Sequence, residues 1–410
     1  MNTKSLIKDN IGFAGIILFL FGLLFSPFIL SISLLPLLIQ PFLLHSPKEI
    51  FQKLFQDKVS ILLLLYFMLI ILGIFYTSNL NLFWKDLQLK LPFLLLPIAF
   101  IYPNYYSKKS IFRILSIFIV LTFFAGLLSF INYLIHYDEI NRLIFKAKPT
   151  PIIANINHIY YSFILAFAII SGLFLHKYFF NRKYLRIINY SLLFFNLVFI
   201  HTIAARTGLF ALYGCGFVLL IYYGFKNSKI VLTLFSLVLI VSIGIASVKY
   251  IPALNNRYQK SVEDINTFRN GGDINHYSIS MRLVYWQKSF QVFLKSPVIG
   301  VGLADVKAEM REIFDAEKSS LVMVNRRGPH NQFLEILAGM GLVGFVLFLY
   351  LLISAYKVGI KQNSAILVAF LTIMIFTFLA ESTLERQAGI GFFTFMLLLL
   401  SKPEVAEESK

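Results

Sequence analysis

Charge is what this sequence has least of. Only 14% of its 410 residues are charged, against 58% hydrophobic, and the mean hydropathy is +0.76, whereas soluble domains carry about 25% charged residues. A chain so short of charge cannot cover a globular surface with polar groups, which excludes a string of soluble domains and leaves a protein bathed in lipid. Cysteine is nearly absent too. The single Cys215 lies in an apolar run and excludes both an intrachain disulfide and a cysteine-based metal cluster. Glycine (22) and proline (13) are too few for a collagenous or disordered chain, and the apolar runs lack the alternation of an outer-membrane barrel. An all-α, polytopic membrane helical bundle remains. Acidic residues are the scarcer sign, 20 against 37 basic, for a net charge of +17. In a membrane protein that excess reads as topology, with basic loops retained inside, rather than as a nucleic-acid surface.

Apolar stretches long enough to cross a bilayer fall near 11–27, 28–45, 58–76, 82–102, 111–135, 158–175, 185–204, 207–224, 229–248, 332–355, 364–384 and 387–401, which predicts about twelve transmembrane helices. Ser26 and Pro27 divide the first two, because proline removes a backbone donor. Lys4 and Lys8 precede an apolar stretch without a small-residue cleavage site, so the first helix reads as retained. With an inside N-terminus, every short loop assigned to the cytoplasm is basic: Lys48, Lys53 and Lys58; Lys108, Lys109 and Arg113; Lys177, Arg182, Lys183 and Arg186; Lys226 and Lys229; Lys357 and Lys361. The expected organisation is a membrane domain over 1–248 with nine helices, a long external loop over 249–331, three more helices over 332–401 and a cytoplasmic tail, 402–410.

Two external segments break the pattern of short, uncharged connections. One is 136–157, with Arg142, Lys146, Lys148, Pro149 and Pro151; the other is 249–331, too long for a connector and helical in pattern at 279–295 and 303–318. Over 280–295, Trp286, Phe290, Val292 and Phe293 alternate with Arg282, Lys288 and Lys295, as in a helix lying at the interface. Such a helix either roofs a cavity or packs on the bundle.

Ionisable groups at membrane depth are costly unless they face a cavity or a partner, so the few at this face are candidates. Arg206 stands at the start of a span in Ala204-Ala205-Arg206-Thr207-Gly208, and Arg282 in Ser280-Met281-Arg282-Leu283. Two arginines on one side suit an anion, since the guanidinium fork fits phosphate oxygens and keeps its charge. His330, in Gly328-Pro329-His330-Asn331-Gln332, is placed by Pro329 at the mouth of the next helix, where it can accept a proton. Singly, each has a plainer reading: a snorkelling arginine, a solvated helix face, a solvated histidine, and, for Gly339, Gly341 and Gly344, close helix packing.

The combination is more specific. His330-Asn331, nine residues, then Gly341-x-x-Gly344 resembles the H[NSQ]-x9-G-x-x-G signature of the O-antigen ligase family, whose relatives include O-antigen polymerases and protein O-oligosaccharyltransferases. Met281-Arg282-Leu283-x-x-Trp286, followed by Ser296-Pro297-Val298-Ile299-Gly300-Val301-Gly302, resembles the family's external-loop pattern. Arg206 before Thr207-Gly208 resembles its helix-start arginine, with an alanine pair in place of the commoner serine-rich lead.

The resemblance implies a GT-C-like bundle acting at the periplasmic face of a bacterial inner membrane. It implies a metal-independent, inverting glycosyltransferase without cofactor that moves a glycan from undecaprenyl pyrophosphate to the lipid A–core of lipopolysaccharide. His330 would be general base or acceptor binder, Arg206 and Arg282 would hold the donor pyrophosphate, and Asn331, Gly341, Gly344 and Trp286 would support them. No Asp-x-Asp motif offers a divalent-metal clamp. Glu335, five residues after His330, would orient it only across an irregular helix start, and Glu381 and Glu385 are spaced i,i+4 to pair with an arginine. Structural ion pairing is the expected role of all three glutamates. Arg326 and Arg327 would contact phosphate or glycan, or form a solvated basic pair. Alternatives within the same chemistry are a polymerase extending carrier-linked repeats and a ligase acting on protein; outside it stands a flippase, which twelve helices alone would also suit.

Overall fold

The computed structural model describes residues 3–101, 107–145, 150–176, 183–226 and 228–402. Lys146, Lys148, Pro149, Lys177, Arg182 and the tail beyond 402 lie outside them, as do the side chains of Lys4, Lys8 and Lys226. The described chain is helical throughout: α1 (Thr3–Phe25), α2 (Pro27–Ile32), α3 (Leu34–Leu44), α4 (Pro47–Leu54), α5 (Lys58–Leu72), α6 (Leu80–Lys90), α7 (Pro92–Ala99), α8 (Lys108–Ile135), α9 (Tyr137–Phe145), α10 (His158–Leu175), α11 (Lys183–Ile203), α12 (Arg206–Lys226), α13 (Ile230–Tyr250), α14 (Pro252–Arg269), α15 (Ser278–Lys295), α16 (Val306–Ala316), α17 (Gln332–Lys361), α18 (Ala365–Ala380) and α19 (Gln387–Ser401).

Eight segments are long and apolar enough to cross a membrane, α2 and α3 counting as one, and three shorter apolar helices accompany them at Ile11–Phe25, Ala365–Ala380 and Gln387–Ser401. These answer eleven of the expected spans. The exception is 82–102, which is two short helices, α6 and α7, meeting at Leu91 before Pro92. At the expected break, Ser26 accepts a hydrogen bond from Ile29 N and Pro27 opens α2.

The centre is built from α10 and α19, whose side chains over 160–170 and 389–401 are buried, with α12 and α18 packed around them. Aromatic rings mesh there: Phe392 sits against Phe163, Phe167 and Phe370. At the opposite extreme, α13 buries no side chain among the described residues and leans chiefly on its neighbours α12 and α14. A helix apolar on every face and unburied by protein is one that lipid covers.

Over 249–331 the chain is more ordered than the sequence reading expects. Helices stand at Ser278–Lys295 and Val306–Ala316, close to the predicted ranges, but a third, α14, precedes them, and α9 occupies the first exceptional segment. Their patterns were missed because α14 is polar, with Asn255, Asn256, Arg257, Gln259 and Lys260 in its first turns. A small separate core of Tyr285, Val292, Val306, Met310, Phe314, Leu321 and Ala338 joins α15, α16 and α17.

One helix departs from its expectation with consequence. α17 is interrupted at Gly341, whose φ of 61° and ψ of −162° no helix contains. The residues 297–302 fill the gap with backbone hydrogen bonds: Val301 N and Gly302 N donate to Ala338 O and Gly339 O (3.0 and 2.9 Å), while Leu342 N and Val343 N donate to Pro297 O and Val298 O (2.8 and 3.1 Å). A Cβ on Gly341 would lie 2.4 Å from the Val298 carbonyl carbon, so only glycine tolerates both the dihedral and the approach. The glycines after His330 therefore serve the break and the docked loop, which corrects the helix-packing alternative. Residues 342–361 match the roughly 20 that a bilayer core requires, which places the first turns of α17 beyond it.

Candidate active site

The mouth of α17 is fixed by its own residues. Asn331 is the N-cap, its Oδ1 accepting from Phe333 N and Leu334 N (3.0 and 3.1 Å) while its Nδ2 donates to Leu379 O (3.1 Å) at the end of α18. This satisfies two orphan amide donors of the helix and ties two helices together. His330, one residue earlier, has φ of +50°. A non-glycine residue there costs about 1–3 kcal/mol and persists only where neighbours over-determine it.

Those neighbours are Glu381 and Tyr285. His330 Nδ1 lies 2.8 Å from Glu381 Oε1, and its ring stacks on Tyr285 with centroids 5.7 Å apart at 26°. A ring nitrogen against a carboxylate carries a proton, so Nδ1–H is assigned as donor to Glu381. Among the described residues Nε2 has no hydrogen-bond partner.

Glu381 follows α18 in an extended conformation. Its second oxygen is 3.5 Å from Arg282 Nη2. Burial pushes this carboxyl up, but the His330 hydrogen bond and the charges of His330, Arg282 and His158 outweigh burial and hold it below its ordinary 4.5. Tyr285 donates its hydroxyl to Asn325 O; burial pushes its phenol to about 12, so it stays neutral.

One face of α15 presents these groups. Ser278, Arg282 and Tyr285 are spaced i, i+4, i+7 and so stand in a row. Ser278 Oγ accepts from Arg206 Nη1 (2.9 Å), Arg282 meets Glu381, and Tyr285 supports His330. The buried Asp264 of α14 anchors the start of α15 by accepting from Ile279 N (2.7 Å), Ser280 N (3.0 Å) and the Ser280 hydroxyl. Arg206 opens α12, lies within electrostatic range of Arg282 and Asp264, and donates to Arg257 O (3.4 Å).

The structure thus brings Arg206, Arg282 and His330 into one cluster at one end of the bundle. Arg326 is not part of it. Arg326 is a brace of its own loop, pairing with Asp315 and donating to Leu321 O (2.8 Å) and Ser319 O (3.2 Å), which corrects its reading as a phosphate or glycan contact. Arg327 is exposed and donates to Val324 O (3.4 Å). Trp286 is half-buried; the ring against His330 belongs to Tyr285, one position before it.

Glu335 is corrected more sharply. It is buried one turn into α17, with no ion pair among the described residues, near Lys90 and Glu385, and does not orient His330. Glu381 does. Nor are Glu381 and Glu385 an i,i+4 helical pair: α18 ends at Ala380, a 3-10 turn spans Thr383–Glu385, and the two carboxylates diverge, to Arg282 and His330 and to Lys90 respectively. Tyr285, Glu381, Ser278 and Asp264 went unassigned to the site. The 278–282–285 spacing was the available signal for the first and third; for Asp264 and the Glu381–His330 link the sequence offered none.

Comparison with known proteins bears on this same stretch. Residues 191–349 match a family model described as O-Antigen ligase. Over 198 residues the chain is 23% identical to an uncharacterised protein of Haemophilus influenzae, covering 45% of this chain and 49% of the relative. Over 155 residues it is 26% identical to a protein of Escherichia coli named O-antigen ligase, covering 37% of this chain and 35% of the relative. The chain therefore spans about half, or less, of the length of these relatives. Arg206, Arg282, His330, Gly341 and Gly344 all fall within the matched segment and Glu381 lies beyond it; it is through 191–349, the part that carries the arginines and the histidine, that this membrane bundle is similar to the O-antigen ligase family.

Proposed function

We propose that this protein is a membrane glycosyltransferase that moves a glycan from undecaprenyl pyrophosphate to the lipid A–core of lipopolysaccharide at the periplasmic face of the inner membrane. The observation that carries the reading is the Glu381 carboxylate, which receives His330 Nδ1 on one oxygen and lies beside Arg282 on the other. A proton acceptor and a fixed cation then stand one carboxylate apart, as displacement of an anionic leaving group by a hydroxyl requires.

In this reading His330 Nε2 takes the proton of the acceptor hydroxyl as its oxygen attacks the anomeric carbon from the face opposite the pyrophosphate. The bond from that carbon to the phosphate oxygen breaks, the configuration inverts, and undecaprenyl pyrophosphate leaves with the bonding pair. Glu381 stabilises the imidazolium formed; Arg282 and Arg206 stabilise the charge on the departing oxygen. The donor's tail stays in lipid while its pyrophosphate rests at the helix mouths. Arg206, Arg282, His330 and Glu381 are the residues to which this reading assigns the chemistry, without a divalent metal.

The test is transfer from purified undecaprenyl-pyrophosphate-linked glycan to rough lipopolysaccharide in proteoliposomes containing EDTA. Transfer by the wild type that is lost in a folded His330→Ala variant supports the reading. Growth of carrier-linked chains without capped lipopolysaccharide would instead make the protein a polymerase with the same residues in the same roles. Movement of carrier-linked glycan across the bilayer without any transfer would make it a flippase.

A further inference from the structure

α15 has a second face that the site does not use. Ser278, Arg282, Tyr285 and Val292, at i, i+4, i+7 and i+14, turn towards the cluster or the small core beneath it. Leu283, Phe290 and Leu294 recur on the opposite side, 41%, 49% and 57% exposed, with Gln287 among them. The neighbouring helix meets its surroundings differently. On α16 the exposed residues include Lys307, Arg311, Glu312 and Asp315 and no large apolar side chain. Two helices that share one small core and differ so in their outer faces stand in different surroundings. What surrounds α15 follows from where its ends lie. At its start, Ser278 meets Arg206, the first residue of the apolar span Arg206–Gly224. At its end the chain passes into 297–299, where the carbonyls of Pro297 and Val298 accept from Leu342 N and Val343 N. Ile299 O accepts there from the Tyr76 hydroxyl (3.3 Å), next to Phe75, which closes the span Lys58–Phe75. Both ends of α15 rest on the ends of spans, so the helix lies across them. Its apolar face is also continuous with lipid-facing surface: from Leu294 it runs through the exposed Val298 and Ile299 to Leu342, Val343 and Val346, which head the exposed stripe of the membrane-crossing part of α17.

We propose that α15 is seated in the lipid leaflet at this end of the bundle, with Leu283, Phe290 and Leu294 in the boundary between headgroups and acyl chains. A helix lying in that boundary buries its apolar face about 5–10 Å deep. Its other face, about one helix diameter or 10 Å away, then carries Arg282 and Tyr285 at the level of the headgroups. The cluster around His330 is thus parted from the lipid by a single helix, one side of which touches lipid while the other side holds Glu381 and the imidazole ring. The sequence pattern allows this helix to roof a cavity or to pack on the bundle; the exposed stripe gives it a third surface, which neither role uses. The contact with lipid stands apart from the chemistry assigned to the cluster.

The experiment attaches a spin label to full-length Phe290→Cys and, as a water-facing reference on α16, to Arg311→Cys, in proteoliposomes of phosphatidylethanolamine and phosphatidylglycerol. The native thiol, Cys215, is buried, and wild type taken through the same labelling gives the background. Relaxation of the label by oxygen, which concentrates in lipid, is compared with relaxation by a neutral nickel chelate, which stays in water. The ratio of oxygen to nickel relaxation should be several-fold higher at position 290 than at 311. Equal ratios at the two positions would put the outer face of α15 in water and overturn the proposal. A label at 290 shielded from both reagents would mean that protein, such as a second copy of this chain, covers the face, and would overturn it equally. Unfolding temperature checks each labelled variant, and where Phe290→Cys fails to fold, Leu294→Cys, one turn further on, reads the same face with the same outcomes. Glycan transfer plays no part in the readout, so the proposal can fall while the functional reading stands, and the reverse.

Discussion

Two charged clusters hang on the same short stretches of chain, 330–335 and 381–386, and they differ in how their charge is balanced. Around Lys90 the cation is enclosed by its partners, while the buried Glu335 beside it keeps one carboxyl oxygen without a hydrogen bond among the described residues. Lys90 is 1% exposed, and its Nζ donates to Leu384 O (2.6 Å) and to Glu385 Oε2 (2.7 Å), with Asp86 Oδ1 3.3 Å away. Gln332 completes the closure by accepting from Leu384 N (2.7 Å) and donating to Glu385 (3.5 Å). Around His330 the balance is left open: Arg282 meets Glu381 only at 3.5 Å, and among the described residues one imidazole nitrogen has no hydrogen-bond partner. A satisfied buried network specifies a fold, whereas an unsatisfied one is retained where a ligand completes it. On the transfer reading proposed above, the first cluster serves the fold and the second the chemistry.

The largest effect expected from this contrast is on His330. His330→Ala should lower transfer about 10²–10⁴-fold, as loss of a general base does, while stability falls by only about 1–3 kcal/mol for the lost charge-assisted bond to Glu381, since alanine keeps the positive φ. Transfer rate and unfolding measured on one preparation decide it. A variant that unfolds early and retains transfer would reverse the roles of the two clusters.

Lys90→Met should do the opposite. Removing one partner of a buried ion pair leaves the other uncompensated, at about 3–5 kcal/mol, here with both Asp86 and Glu385 stranded. The expectation is a steep loss of unfolding temperature in detergent, with the folded fraction still transferring glycan. Folded protein that has lost transfer would make the Lys90 cluster part of the site.

Much of this contrast was legible in the sequence and part of it was not, for a physical reason. Spans announce themselves by length and apolarity, so eleven of twelve were readable; Pro92 cut the other. His330, Arg206 and Arg282 stood out because charge near a membrane is rare and their motifs are specific. What escaped were pairings across long separations. His330 and Glu381 are 51 positions apart, Thr77 and Asp305 are 228 apart (2.7 Å), and nothing in either local sequence names the partner. The break at Gly341 escaped similarly, since a glycine in an apolar run looks the same whether it packs a helix or interrupts one, and only the docked residues 297–302 distinguish the two.

Glu381 belongs to the open cluster, yet is buried, so its removal tests both sides of the comparison. Glu381→Gln keeps the shape and removes the charge that holds Nδ1–H and faces Arg282. Transfer should fall about 10–100-fold, the range found for outer groups that orient an imidazole. Its pH dependence is fixed in sign. A carboxyl held below its unfolded value contributes stability that is present above that value and lost as pH falls through the folded one. Glu381 is held low, so the wild type should lose stability and transfer on the acid side of 4.5. In Glu381→Gln that component should vanish, leaving a flatter acid limb in both unfolding and rate profiles. An unchanged acid limb would mean that another carboxylate controls it.

The smallest expected effect lies in the support beneath the histidine. Tyr285 does two separable things: its ring lies against His330, and its hydroxyl holds Asn325 in the loop that leads to Gly328. Tyr285→Phe removes only the second, for about 0.5–1.5 kcal/mol of stability, and should leave transfer within about threefold of the wild type, since a shift of 0.65 kcal/mol is about that factor. Tyr285→Leu removes the ring as well, so His330 loses one of the two contacts that hold it at a positive φ. Transfer should then fall further than stability does. Equal transfer in the phenylalanine and leucine variants would show that Glu381 alone positions the imidazole, and would confine the open cluster to its charged members.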